Sequence, residues 1–197
     1  MSSQTLSAND FQTIVDSLED KELDIKEVAK IYHSHKDNKE IVGQVAMNLS
    51  LRTSVYERDK DYSQEMVDLL CDIAVNPVDM GARWAVAKNP HTPVEVLTLL
   101  AKDDVNLVRA LVATNPSTPS DVLEKFFSDE KIVRDGLSGN PATPVKLLNI
   151  LADDSDKMVR LRLAENSAAN ETILKKLSLD LDPNVAKAAQ VHLEQQS

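Results

Sequence analysis

The sequence predicts an all-α protein built from stacked two-helix repeats of about 25–26 residues, and three observations predict it. Four glycines and three phenylalanines in 197 residues, with abundant Ala, Leu, Lys and Glu, favour helix over sheet. The words NPHTP, NPSTP and NPATP begin at Asn89, Asn115 and Asn140, and a worn copy, NSAAN, begins at Asn166, at spacings of 26, 25 and 26. An arginine stands six residues before each asparagine: Arg83, Arg109, Arg134 and Arg160. Two markers holding one register over such a period imply stacked supersecondary units that share a core.

Each unit reads as two short helices. TPVEVLTLLA, from Thr92, places a cap, a first-turn proline (Pro93) and Glu95 as a capping-box partner; Thr118 with Asp121 repeats it, and Thr143 keeps the cap but puts Lys146 at the box position. Apolar residues follow at helical spacing, such as Val96, Leu97 and Leu100. The second helix follows an acidic turn at Asp103, Asp129 or Asp153, and Asp182-Pro183 supplies a cap and first-turn proline in the last unit. Its inward positions are Val108, Leu111, Val112; Val133, Gly136, Leu137; Val185, Ala188, Ala189. It ends near each asparagine, because a following proline disfavours helical geometry in the residue before it.

Residues 1–64 read as N-terminal capping helices with a degenerate first repeat, and 65–197 as the repeat array with a C-terminal cap, together one continuous domain. SANDFQTIVDSL from Ser7 and DIKEVAKIY from Asp24 read as helices, and VAMN, Val45–Asn48, matches VATN, Val112–Asn115. The 41 residues from Asn48 to Asn89 then hold one repeat plus a polar insertion, Arg52–Ser63. The C-terminal VHLEQQS reads as a frayed polar cap.

Over about residues 65–190, the pattern TP-x-x-x-L-x-x-L-A-x-D…V-R-x-x-V-A-x-NP resembles the leucine-rich-repeat variant, a short HEAT-like repeat of bacterial proteins. The resemblance implies a right-handed α-solenoid of alternating helices, a HEAT-like superhelix, in which one helix per unit is sometimes tightened to 3₁₀; the slightly longer units here favour α for the second helix. It also implies an aspartate–arginine ladder between units, which assigns the four arginines a structural role. The iron–sulfur centre of well-known relatives needs a cysteine cluster. With only Cys71 present, no cofactor is carried over.

Lone Cys71, beside Leu69, Leu70 and Ile73, reads as core and points to a reducing compartment, most simply the cytoplasm. MSSQTLSAND lacks the basic start and apolar run of a signal peptide, and no stretch approaches the length of a membrane span. Net charge is −10, with residues 1–64 holding 8 basic and 12 acidic side chains and the remainder 14 and 20, so both parts are acidic. A phosphate-binding surface needs the opposite balance, which disfavours nucleic acid. His33 and His35, two apart, face different sides of a helix and form no metal pair. The sequence offers no catalytic motif and no metal site.

The asparagines Asn89, Asn115, Asn140 and Asn166 read as turn residues, because asparagine tolerates left-handed geometry and bonds its own turn. Function belongs where the repeat varies, at one and five residues after each arginine: Trp84 and Lys88, Ala110 and Thr114, Asp135 and Gly139, Leu161 and Glu165. Trp84, the only tryptophan, is the anchor if exposed, or packs between units if not. Arg162 interrupts the stripe that holds Ala85, Leu111 and Gly136 and reads as a rim residue or a recognition group. These residues suit a non-enzymatic scaffold for another protein, one with basic groups, and no feature sets an oligomeric state. The alternatives are a HEAT-like base-excision enzyme using Trp84 with Asp79 or Asp135, which the acidity disfavours, and an acidic regulatory domain.

Overall fold

A computed structural model describes residues 6–52, 63–76 and 78–196, so most of the expected insertion, residues 53–62, lies outside the described residues. Those described are helical, with no strand. The helices are α1 (Ala8–Leu18), α2 (Ile25–His35), α3 (Lys39–Arg52), α4 (Gln64–Ala74), α5 (Met80–Lys88), α6 (Val94–Leu100), α7 (Asn106–Thr114), α8 (Ser120–Lys125), α9 (Lys131–Gly139), α10 (Val145–Leu151), α11 (Lys157–Ala164), α12 (Glu171–Leu177) and α13 (Pro183–Gln195). A 3₁₀ turn, Phe126–Ser128, extends α8, while α7, α9, α11 and α13 are α-helical.

The chain divides into two compact units, Met1–Val96 and Leu97–Ser197. In the first, α3 packs on α1 and α5, and α4 on α2. Its core includes Val28, Ile41, Val45, Leu49, Leu69, Ile73 and Val86, each at most 1% exposed. In the second, α9 packs on α7 and α11, and α13 on α11 and α12. Its buried stripe pairs the residue before each arginine position with the one four later: Val108 and Val112, Val133 and Leu137, Val159 and Leu163, Val185 and Ala189. The expected third inward position is only half-buried at Leu111, Gly136 and Ala188, because it sits at the edge of that stripe. Gly136 allows close approach: a Cβ there would lie 2.6 Å from Ala110 O and 2.8 Å from Thr114 Oγ1.

Four local expectations change. The threonines do not cap the helix that follows them. Pro119 and Pro144 hold the N-cap positions with no side-chain cap bond. Thr92, Thr118 and Thr143 are buried and donate instead to Val86 O (2.6 Å), Val112 O (2.6 Å) and Leu137 O (2.7 Å). The hydroxyl thus satisfies an end carbonyl of the preceding helix, an orphan acceptor in any α-helix. The asparagines are not left-handed. No described residue has positive φ, and Asn89, Asn115 and Asn140 are extended at ψ 124°, 121° and 120°, as a following proline demands. The segment expected to fray is helical as far as Gln195, where α13 ends, and His192 Nδ1 lies 2.9 Å from Ala164 O. Cys71 is half-buried rather than core, and burial pushes its thiol above the usual range.

Candidate interaction surface

Two sets of side chains fix the register of the second helices, and so of the varied positions. The first is amide. Asn89, Asn115, Asn140 and Asn166 each accept, through Oδ1, the N–H two residues on, at 2.9, 3.0, 2.8 and 2.8 Å. The Asn140 amide nitrogen donates to Ala113 O (2.8 Å) and Asn115 O (2.9 Å), and that of Asn166 to Ser138 O (2.7 Å) and Asn140 O (3.0 Å). Asn140 and Asn166 therefore each tie their own corner to the corner before it. In the first unit Asn48 donates likewise to Leu18 O (2.7 Å) and Asp20 O (3.0 Å). His192, 26 residues beyond Asn166, takes the same place at the other end through Ala164 O.

The second set is charged. Arg109 donates through Nε and Nη2 to both Asp129 oxygens (2.9 and 2.8 Å), Arg134 to Asp154 (2.7 and 3.2 Å) and Arg160 to Asp180 (2.6 and 3.0 Å). The remaining Nη1 of each donates to a turn carbonyl of its own repeat, Asp103, Asp129 or Asp154 (2.8, 2.9 and 2.7 Å). The planar fork suits this bidentate geometry. These arginine side chains are 16–21% exposed and their aspartates 6–17%. The Arg109 bond holds Asp129 below the usual carboxylate range, and the Arg160 bond does the same for Asp180. Burial pushes Asp154 up, but the bonds from Arg134 and the Asp156 N–H outweigh it. Arg83 is half-buried on α5. A parallel set went unseen in the sequence: Asn106 donates to Glu130 (2.8 Å), Lys131 pairs with Asp156 (3.7 Å) and Lys157 with Asp182 (3.0 Å).

The varied positions are uneven in consequence. At α7 and α9 the helices approach closely over Gly136 and Ala110 is 7% exposed, while Thr114 remains exposed. Asp135 is half-buried; burial pushes its carboxyl up, opposed by the charges of Arg162 and Lys131. Exposed Arg162 reaches Asp135 at 3.9 Å and Glu165 at 3.9 Å. Its stem lies over Gly139, where a Cβ would come within 2.7 Å of Cγ. Half-buried Leu161 and exposed Glu165 line a cavity of about 720 Å³ between α11 and α13, with Lys187, Val191 and His192.

The larger cavity, about 1030 Å³, lies in the first unit against α1, α3 and α5. Phe11, Val15, Met47 and Trp84 give it an apolar lining, and Trp84 and Met47 are 44% and 57% exposed. Gly43 and Gly81 open it beside Asp79, whose Oδ2 caps α5 by accepting the Ala82 N–H at 2.8 Å. Exposed Lys88 lies at the far end of α5, and Lys39 and Glu40 are adjacent at the start of α3. Trp84, Lys88 and Asp79 thus share one cavity, while Asp135, Leu161, Arg162 and Glu165 belong to the second unit. The sequence reading missed Phe11, Val15, Gly43 and Met47. The signal was present in Asn48: counting back five residues from Asn48, and from its bonded partner Asp20, gives Gly43 and Val15, the register equivalents of Trp84.

No family model, no curated protein and no solved structure matches this chain. Among the described residues no helix is long and apolar enough to cross a membrane, and no group of three or more His, Cys, Asp or Glu is placed to hold a metal.

Proposed function

We propose that the protein is a non-enzymatic interaction scaffold, a right-handed α-solenoid related to the leucine-rich-repeat variant and HEAT-like arrays, that binds another protein through the cavity around Trp84. One observation carries the reading: a half-exposed tryptophan and methionine, joined by Phe11 and Val15, line a cavity of about 1030 Å³ on three helices. Exposed aromatic and methionine side chains in a hollow are the usual anchors of protein recognition. Corner-to-corner asparagine bonds and repeat-to-repeat arginine bonds support stacking into a solenoid. The −10 charge suits a partner with basic groups, and the lone cysteine suits the cytoplasm. Affinity capture with the wild type and with Trp84→Ala tests the reading. A partner retained by the wild type and lost by the variant supports it; identical recovery by both overturns it.

A base-excision reading draws on the same cavity, since Trp84 and Asp79 both line it. Its lining charges balance, Lys39 and Lys88 against Glu40 and Asp79, whereas a DNA groove requires clustered cations. A salt-sensitive gel shift with duplex DNA would favour this reading over the scaffold.

A further inference from the structure

The polarity of the α5 cavity specifies its occupant. Asp79 marks one end of α5 and Lys88 the other, nine residues and about 13 Å away. Between them the lining is apolar, with Trp84 and Met47 prominent. Lys39 and Glu40 are adjacent and of opposite sign, so the cavity is negative at the Asp79 end and positive at the Lys88 end. Gly43 deepens the acidic end: a Cβ there would meet Asp79 Oδ2 at 3.5 Å, so any larger side chain would screen the carboxylate. The walls are mostly helical, with Asp79, Asn89 and Pro90 at the ends of α5, and they offer no strand edge to an extended peptide. An occupant must therefore satisfy its own backbone before entering an apolar hollow, which selects a helix.

We propose that the cavity receives an amphipathic helix of a partner protein, laid along α5, with a Lys or Arg against Asp79, apolar side chains over Gly43 and beside Trp84, and an acidic residue towards Lys88. This rests on the scaffold reading above and adds the partner's chemistry to it. The cation supplies what the cavity mouth lacks: Asp79 already accepts the Ala82 N–H, and a carboxylate has further lone pairs to offer.

The test selects binders of the full-length protein from a displayed library of helical peptides with an apolar face and randomised charged positions. Binding is read by the emission of Trp84, the only tryptophan. Asp79→Asn removes the charge and keeps the cap, since the two residues cap helices equally well. The expected result is enrichment of Lys or Arg at one end of the apolar face and about tenfold weaker binding to Asp79→Asn. Replacing that Lys or Arg by Gln should weaken binding to the wild type but not to Asp79→Asn. Peptides that shift Trp84 emission yet bind both proteins equally, or bind without helicity by circular dichroism, overturn this inference and leave the docking surface standing. If no peptide perturbs Trp84, the docking surface itself falls.

Discussion

Replacing Asn140 by alanine is the sharpest test of the corner-to-corner bonds. Asn140 is fully buried, and its side chain makes three hydrogen bonds: two donated, to Ala113 O and Asn115 O, and one accepted, from the Ala142 N–H. At roughly 1 kcal/mol net per bond, the loss is about 3 kcal/mol; Ala113 O loses the amide donor in a dry corner, while Asn115 O keeps the Thr118 N–H at 3.0 Å. That is a large share of the 5–15 kcal/mol or so that holds a typical domain together. With a urea dependence of about 2 kcal/mol per molar, the unfolding midpoint should fall by about 1.5 M. Asn140→Asp should cost more, because it sets a buried carboxylate against two carbonyl oxygens. Asn149→Ala is the control: that side chain is exposed and bonds only within its own helix, to Val145 O at 2.9 Å, so about 0.5 kcal/mol or less is expected. Urea unfolding followed by far-ultraviolet circular dichroism measures all three. If Asn140→Ala and Asn149→Ala unfold at the same midpoint, the corner amides do not hold successive units in register and the reasoning is refuted.

Gly136→Ala should destabilise by about 1–3 kcal/mol despite the better helix propensity of alanine, because the added methyl meets Ala110 O at 2.6 Å. Gly43→Ala, with nothing nearer than 3.5 Å, should be neutral or gain up to about 1 kcal/mol; thermal denaturation of the pair decides whether close approach sets the sign. Thr118→Val should cost about 1 kcal/mol, since Val112 O loses the hydroxyl and keeps only the Asn115 N–H at 3.1 Å, while Thr118→Ser keeps both bonds; urea midpoints compare them. Because Asp129 and Asp180 titrate below their ordinary range, their stabilisation is fully present above the unfolded-state value near pH 3.9 or so and is lost as pH falls through the depressed folded values. Stability measured from about pH 6 downward should therefore drop less steeply in Arg160→Met than in the wild type; equal slopes would remove the Arg160–Asp180 pair from the account.

Much of the helical pattern was legible because its causes are local. Asp182-Pro183 starts α13 as expected, and the residue before each arginine, valine in three and Ala82 in the first, is buried with the residue four later, as helical spacing requires. What the sequence misled on was the destination of side chains with two choices. A threonine before proline reads as an N-cap, yet its hydroxyl is equally close to the carbonyls of the helix just ended, and that side is chosen because the proline itself fills the cap position. His192 carried no visible role, because a histidine in place of asparagine breaks the word while keeping a donor at the right distance from Ala164 O. The cavity around Trp84 was half-visible. Trp84 and Lys88 followed from the arginine register, but α3 has Val42 where the arginine stands; the match of VAMN to VATN already aligned Met47 with Thr114 and Gly43 with Ala110, and the Asn48 bonds to Leu18 O and Asp20 O show that register in space.

The central claim is that, in the second unit, the amides of Asn140 and Asn166 each clasp the repeat before their own. Nuclear magnetic resonance of the Asn140 and Asn166 side-chain amide protons addresses this directly. Slow exchange with solvent, with cross-peaks from Asn140 to Ala113 and Asn115 and from Asn166 to Ser138 and Asn140, is the predicted result. Fast exchange, or cross-peaks confined to neighbours in sequence, would contradict it.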